Sequence, residues 1–420
     1  MKRSLYQAVC VSLPKGTGGL LTILLNGILL TRMTPAEFGV YAVCLLLCTL
    51  ADGVIGAAID MSAVKLASSR RAHDRRGAAA VEHWAALVKL GVSVVVLLLL
   101  SPWLAPLSMA LFHREDPVLL ALALVVAAGV LAMRSIALNL QLSQRFEAYA
   151  GLELLAQTLR VVGIVAVLQW WQPSALTLTL ASVGGIALTV LGGLWIMRRS
   201  WTAAPLRWAD GRELMISLRW MLATFALSAI YVRADLLALT QWSSIEQVGL
   251  FAAAQVFAFV PELFGMWVAV VFSPRVMPAH ADGTLRPMMR KVQGSIGSLA
   301  LVAALLAWLV LQWLPGWVPP AFARSTDILW PLLLGALAGM VAMPVTVPFV
   351  MFSRPGFILT YDLLSLPFLL LAYYWAIQSF GAVGAAWISA GSRIIKSTAL
   401  QACAWAWAQP GRHPNLSMHQ

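Results

Sequence analysis

Ionisable side chains recur inside stretches that are otherwise apolar: Lys15, Asp52, Arg160, Arg219, Arg233, Asp235, Glu262, Arg393 and Lys396. A charge held away from water is costly, and by default it marks a substrate or ion path. Two chemistries suit these residue types. A guanidinium grips phosphate through a planar pair of donors, so Arg233 is the first candidate for contact with a phosphate or an acidic sugar. Arg160, Arg219, Arg393, Lys396 and Lys15 add candidate cations to the same lining. The carboxylates Asp52, Glu262 and Asp235 are candidates for holding a coupling proton or sodium ion. Arg233 and Asp235 are two residues apart, on different faces of a helix, and need not pair. The competing reading is structural: ion pairs between helices, or long side chains at Lys15, Lys89, Arg134 and Arg219 that reach back to the interface.

Other chemistries lack their spacing. Cys10, Cys44, Cys48 and Cys403 form no CxxC pair, and Cys44 and Cys48, one helical turn apart, read as packing. His73, His83, His113, His280, His413 and His419 are scattered, so no metal site or cofactor is expected. No GxxxxGK[ST] is present, which argues against ATP hydrolysis by the chain itself. A multi-span polymerase or ligase needs a catalytic segment at the outer face. The longest outer connection, near 102–116, reads "PWLAPLSMALFHRED" and leaves no room for a sugar-binding domain. The reading is therefore not an enzyme.

The elements that carry these charges follow from composition. The chain has 420 residues, 60% hydrophobic and 11% charged, with mean hydropathy +0.82. A soluble domain carries roughly 25% charged residues, so this chain is expected in a bilayer. Apolar runs recur at about the 20-residue length that crosses a hydrocarbon core. About twelve spans are expected, near 13–31, 38–61, 81–101, 117–139, 152–170, 175–197, 214–241, 247–272, 294–314, 327–351, 357–378 and 382–408. The first run is one of many, which argues against a cleavable signal. The longer polar links at 62–80, 198–213 and 273–293 are rich in Lys and Arg, and each follows an even-numbered span. Lys/Arg excess marks the cytoplasmic side, so both termini are expected there. The formal charge of +12 is thereby accounted for by topology, and nucleic acid is not an expected partner.

Half of the chain echoes the other half. Residues 28–42, "ILLTRMTPAEFGVYA", align with 238–252, "ALTQWSSIEQVGLFA", at an offset of 210 that sets Gly39 on Gly249 and Asp52 on Glu262. Six spans per half give two parallel repeats about an axis along the membrane normal. The expected architecture is an all-α integral membrane protein: two six-helix bundles, 1–205 and 206–420, around a central cavity that alternates its opening. In the hairpin, Pro35 lacks a backbone donor, Thr34 or Thr31 is placed to cap the next helix, and Gly39 permits close helix approach.

The stretch "LLTRMTPAEFGVYAVCLLLCTLAD" resembles the first hairpin of polysaccharide exporters in the multidrug/oligosaccharidyl-lipid/polysaccharide superfamily. "LQLSQRFEAYAGLELL" (140–155), "YVRADLLAL" (231–239) with "EQVGLFAAAQVF" (246–257), and "FGAVGAAW" (380–387) are similar to later segments of those proteins in the same order. The resemblance implies a flippase of the bacterial inner membrane. Its substrate would be an undecaprenyl-diphosphate-linked oligosaccharide, moved from the cytoplasmic to the outer leaflet for surface polysaccharide synthesis. A polysaccharide polymerase complex is the implied partner besides the lipid bilayer. Two alternatives share the fold: a cation-coupled antiporter of drugs or metabolites, and a lipid II-type flippase. The latter branch usually carries two further helices, where this sequence ends on the polar tail "QPGRHPNLSMHQ".

Overall fold

The computed structural model describes residues 2–71, 73–198, 206–265, 272, 276, 279, 282–313, 318–352 and 356–407, with side chains from residue 16 onward apart from a few beside the gaps. Its elements are α1 (Lys2–Leu30), α2 (Pro35–Ala51), a π-helical segment (Asp52–Gly56), α3 (Ala57–Arg71), α4 (Arg75–Leu100), α5 (Leu104–Phe112), α6 (Pro117–Leu142), α7 (Phe146–Trp170) and α8 (Ala175–Met197). There follow α9 (Trp208–Val232), α10 (Ala234–Trp242), α11 (Ile245–Ala258), α12 (Leu285–Trp313), α13 (Ser325–Phe352) and α14 (Gly356–Trp407).

Ten of the described helical stretches are long and apolar enough to cross a membrane, and the shorter apolar stretch Gly16–Leu30 lies within α1. The stretch Ile358–Trp405 counts once among the ten. It is interrupted at Gly381, where φ is 59°, and so supplies two spans. The described chain is thus a multi-pass, all-helical membrane protein with the twelve spans that the apolar runs predict.

Helix starts follow local side-chain chemistry. Thr34 and Ser244 both stand in extended backbone and accept the amide three residues on, from Glu37 and Gln247. These caps are 210 positions apart, as the repeat requires. Asp116 caps α6 through the Leu119 amide at 3.0 Å, and Ser174 with Thr177 forms a reciprocal capping box on α8. Each satisfies amides that would otherwise lack a partner at a helix end.

Several boundaries differ from the sequence expectation. Arg70 and Lys65 are helical, because α3 runs on to Arg71, and α4 begins at Arg75. The outer connection near 102–116 is mostly helix, a 3-10 turn at Ser101–Trp103 leading into α5. Span seven is two helices, broken at Arg233. Apolar length sets where a helix must cross the bilayer, whereas backbone hydrogen bonding carries it past the interface wherever propensity allows.

The centre of the molecule is formed by α2, α11 and α13. In α13, 67% of the membrane window is buried, against 11% in α12, which faces outward. The largest core cluster joins Phe38 and Tyr41 of α2 with Val248 and Phe251 of α11, Phe322 and Tyr373. It lies at the end that holds the 31–34 and 243–244 turns, called here the hairpin end. Phe38 and Phe322 meet edge to face there, with ring centroids 6.0 Å apart. At the opposite end Arg70 of α3 is salt-bridged to Asp210 and Glu213 of α9. Trp84 also donates to the Arg207 carbonyl at 3.0 Å. The expected divide at 205/206 adjoins residues 199–205, which lie outside the described residues.

Candidate functional site: a charged cavity between the two halves

A cavity of about 530 Å³ is walled by helices from both halves. The first half contributes Thr22 and Asn26 of α1, Tyr41 of α2, Asp52 of the π segment, and Glu153, Gln157 and Arg160 of α7. The second half contributes Arg233, Gln255, Glu262 and Arg393. A neighbouring recess of about 400 Å³ shares Thr22, Asp52 and Glu153 and adds Arg134 and Leu263.

The backbone places these groups in distinct ways. Asp52 opens the π segment, in which the Ala57 amide bonds the Asp52 carbonyl five residues back. One extra residue per turn re-aims the side chains that follow, and such segments favour functional sites. Arg233 stands at the break between α9 and α10, at φ −109° and ψ 11°, with its amide 3.2 Å from the Ala229 and Ile230 carbonyls. Glu153, Gln157 and Arg160 recur at i, i+4 and i+7, one face of α7.

Ion pairing sorts the cations. Arg134 grips Asp52 with two bonds, Nε to Oδ1 at 2.9 Å and Nη2 to Oδ2 at 2.7 Å. Arg393 pairs with Glu262. Among the described residues, the Arg160 and Arg233 guanidiniums line the cavity with no hydrogen bond or ion pair. One comes from each half.

Five of the expected site residues therefore share one cavity: Arg160, Arg233, Arg393, Asp52 and Glu262. The others do not. Arg219 is exposed on α9, its guanidinium 5.7 Å from the Trp220 ring centroid. Lys396 lies outside the wall, 2.6 Å from Asp362 Oδ1 and 4.3 Å from the Tyr231 ring centroid. Asp235 is 2% exposed, bonded to the Leu236 amide at 2.8 Å and to the Ser389 hydroxyl at 3.0 Å. The Lys15 side chain is outside the described residues.

Two further expectations are corrected. Lys89 does not reach for the interface: it is 1% exposed and pairs with Asp60. Arg134 turns inward to Asp52. In each case a carboxylate on an adjacent helical segment takes the charge. The main wall is balanced in charge, with Asp52, Glu153 and Glu262 against Arg160, Arg233 and Arg393. Two of its three cations are unpaired, whereas two of its three carboxylates are held by arginines. Glu153 and Gln157 escaped the sequence reading, although their spacing with Arg160 in "ELLAQTLR" (153–160) is visible there.

Helical bundles surround a mainly apolar cavity lined by a few charged side chains, and solved structures share this fold. A lipid II flippase, MurJ, in an inward closed conformation has a TM-score of 0.73 at 10% identity, covering 94% of this chain and 87% of that one. An inward-facing multidrug-resistance MATE transporter of the MOP superfamily has a TM-score of 0.71 at 13% identity, covering 96% and 98%. A MOP-superfamily transporter from Pyrococcus furiosus, described as having a binding pocket of reversed polarity, has a TM-score of 0.62 at 15% identity, covering 96% and 95%. No curated protein matches the chain. The sequence profile of the family described as polysaccharide biosynthesis protein matches residues 11–277. The chain belongs to that family of membrane transporters and flippases.

Proposed function

We propose that the protein is a flippase that carries an undecaprenyl-diphosphate-linked oligosaccharide from the cytoplasmic to the outer leaflet of a bacterial inner membrane, by alternating access. One observation carries the reading: the unpaired guanidiniums of Arg160 and Arg233 line a single cavity from opposite halves. A diphosphate is a two-centre anion, and arginine is the side chain that binds phosphate oxygens in a planar, two-pronged way. Asn26, Gln157 and Gln255 line the same space and suit sugar hydroxyls and amides. Arg70, Arg76, Arg207, Arg212, Arg286 and Lys291 mark their end as cytoplasmic, which sets both termini there. The halves 1–205 and 206–420 are the rocking units, and a polymerase complex receives the delivered unit.

The test is a deletion strain. Lipid-linked repeat units accumulate in the inner leaflet and surface polymer is lost. Intact surface polymer with raised drug sensitivity would overturn the reading in favour of a cation-coupled drug or metabolite antiporter. That second reading draws on the three carboxylates in the wall, Asp52, Glu153 and Glu262. Loss of peptidoglycan precursor export would instead indicate a lipid II-type substrate.

A further inference from the structure

The two cavity ion pairs differ in how completely they occupy their arginines. Arg134 spends Nε and Nη2 on both oxygens of Asp52, and it faces the side recess rather than the main wall. Arg393 makes a single bond to Glu262, Nη1 to Oε1, and both residues line the main cavity. Their side chains are 29% and 36% exposed. The Arg393 Cδ packs against Gly335, 3.2 Å from where a Cβ there would stand. A guanidinium offers five N–H donors, and the bond to Glu262 uses one of them, on Nη1.

We infer that Arg393 is a third anion-binding residue of the cavity, and that Glu262 stands in for the substrate's phosphate when the cavity is empty. This rests on the flippase reading and specifies how its site is held between substrates. An incoming diphosphate takes the Arg393 donors, and Glu262 loses its cation while gaining an anionic neighbour. Glu262 and the phosphate thus compete for one guanidinium, and removing the charge of the carboxylate strengthens substrate binding. Other charged groups face the same space: Asp52, held by Arg134, and Glu153, Arg160 and Arg233. Asp235 and Tyr373 act on Arg393 from behind. Glu153 is the wall carboxylate for which no arginine bond is recorded among the described residues, so it needs its own control.

The experiment uses purified full-length protein in detergent and farnesyl-diphospho-N-acetylglucosamine, whose diphosphate diester does not itself titrate near neutral pH. Binding is followed by calorimetry. Arg393→Gln is expected to weaken binding about tenfold and Glu262→Gln to tighten it about tenfold. Glu153→Gln, which frees no Arg393 donor, is expected to tighten it less. A Glu262→Gln protein that binds no more tightly than the wild type overturns the inference. So does an Arg393→Gln protein that keeps the wild-type unfolding midpoint and binds as the wild type does. If the wild type binds no diphosphate diester at all, the flippase reading falls with it.

Discussion

Gly39 and Gly249 pack backbone against backbone where α2 crosses α11. A Cβ on Gly39 would stand 2.9 Å from the Gly249 nitrogen, and one on Gly249 would stand 3.0 Å from the Gly39 nitrogen. Each would also overlap a carbonyl oxygen, that of Ile245 for Gly39 and that of Pro35 for Gly249. Pro35 and Ile245 are themselves 210 positions apart, so the contact is reciprocal about a pseudo-two-fold axis. Two small residues let the helices touch, and this contact is expected to close the hairpin end of the cavity.

Gly249→Ala is therefore expected to hold the hairpin end open. The substitution favours an isolated helix by up to about 1 kcal/mol, so the chain should still fold. A cysteine at Phe322, on the hairpin side of the seal, is expected to react faster with a membrane-impermeant thiol reagent in this background. Equal reaction rates would show that the glycine contact is not the seal.

Arg160→Ala and Arg233→Ala are each expected to lower transport about 10- to 100-fold, the worth of a charge-assisted hydrogen bond lost from binding. Surface polymer, normalised to the amount of protein in the membrane, is the measurement. Lys at either position keeps the charge without the planar fork and should restore only part of the activity. Arg219→Ala, on the exposed face of α9, should leave surface polymer within about twofold of wild type.

Lys89→Met leaves Asp60 without its cation in a buried setting. Breaking such a pair costs about 3–5 kcal/mol, which thermal unfolding in detergent should register as a clear fall in midpoint. Asp60→Leu combined with Lys89→Met removes both charges and should recover most of the loss. If the double variant is no better than the single one, the pair is more than a neutralised contact.

Gly381 holds φ 59° and ψ −139° between spans eleven and twelve. A side chain there is strained by about 1–3 kcal/mol and would also meet Gln247, whose Nε2 lies 2.9 Å from the Cβ position. Gln247 accepts the Ala382 amide at 2.6 Å, just as Glu37 in the other half accepts the Ala175 amide at 2.8 Å. Gly381→Ala should lower the unfolding midpoint, and adding Gln247→Ala should relieve the collision without restoring wild-type stability.

Part of the site was legible before any coordinates. The 210 offset rests on the "EFGVYA"/"QVGLFA" match, and it placed Asp52 and Glu262 in one register. Both do line the cavity. Their partners were not legible, because Arg134 is 82 positions from Asp52 and Arg393 is 131 from Glu262. Nor was the break at Arg233, since "YVRAD" contains neither glycine nor proline to signal it.

By itself the sequence determined the solvent, the number of spans and the internal repeat. The physical reason is that each depends on local apolar length or on similarity within the chain, and a bilayer leaves few other options. Tertiary structure alone decided which charges are neutralised and which remain available. A side chain inside a membrane takes the nearest opposite charge, and that neighbour is set by helix packing. So Lys89, Lys396 and Asp235 became internal contacts, and Arg219 was left outside. Arg160 and Arg233 remain as the unpaired pair facing the space between the halves.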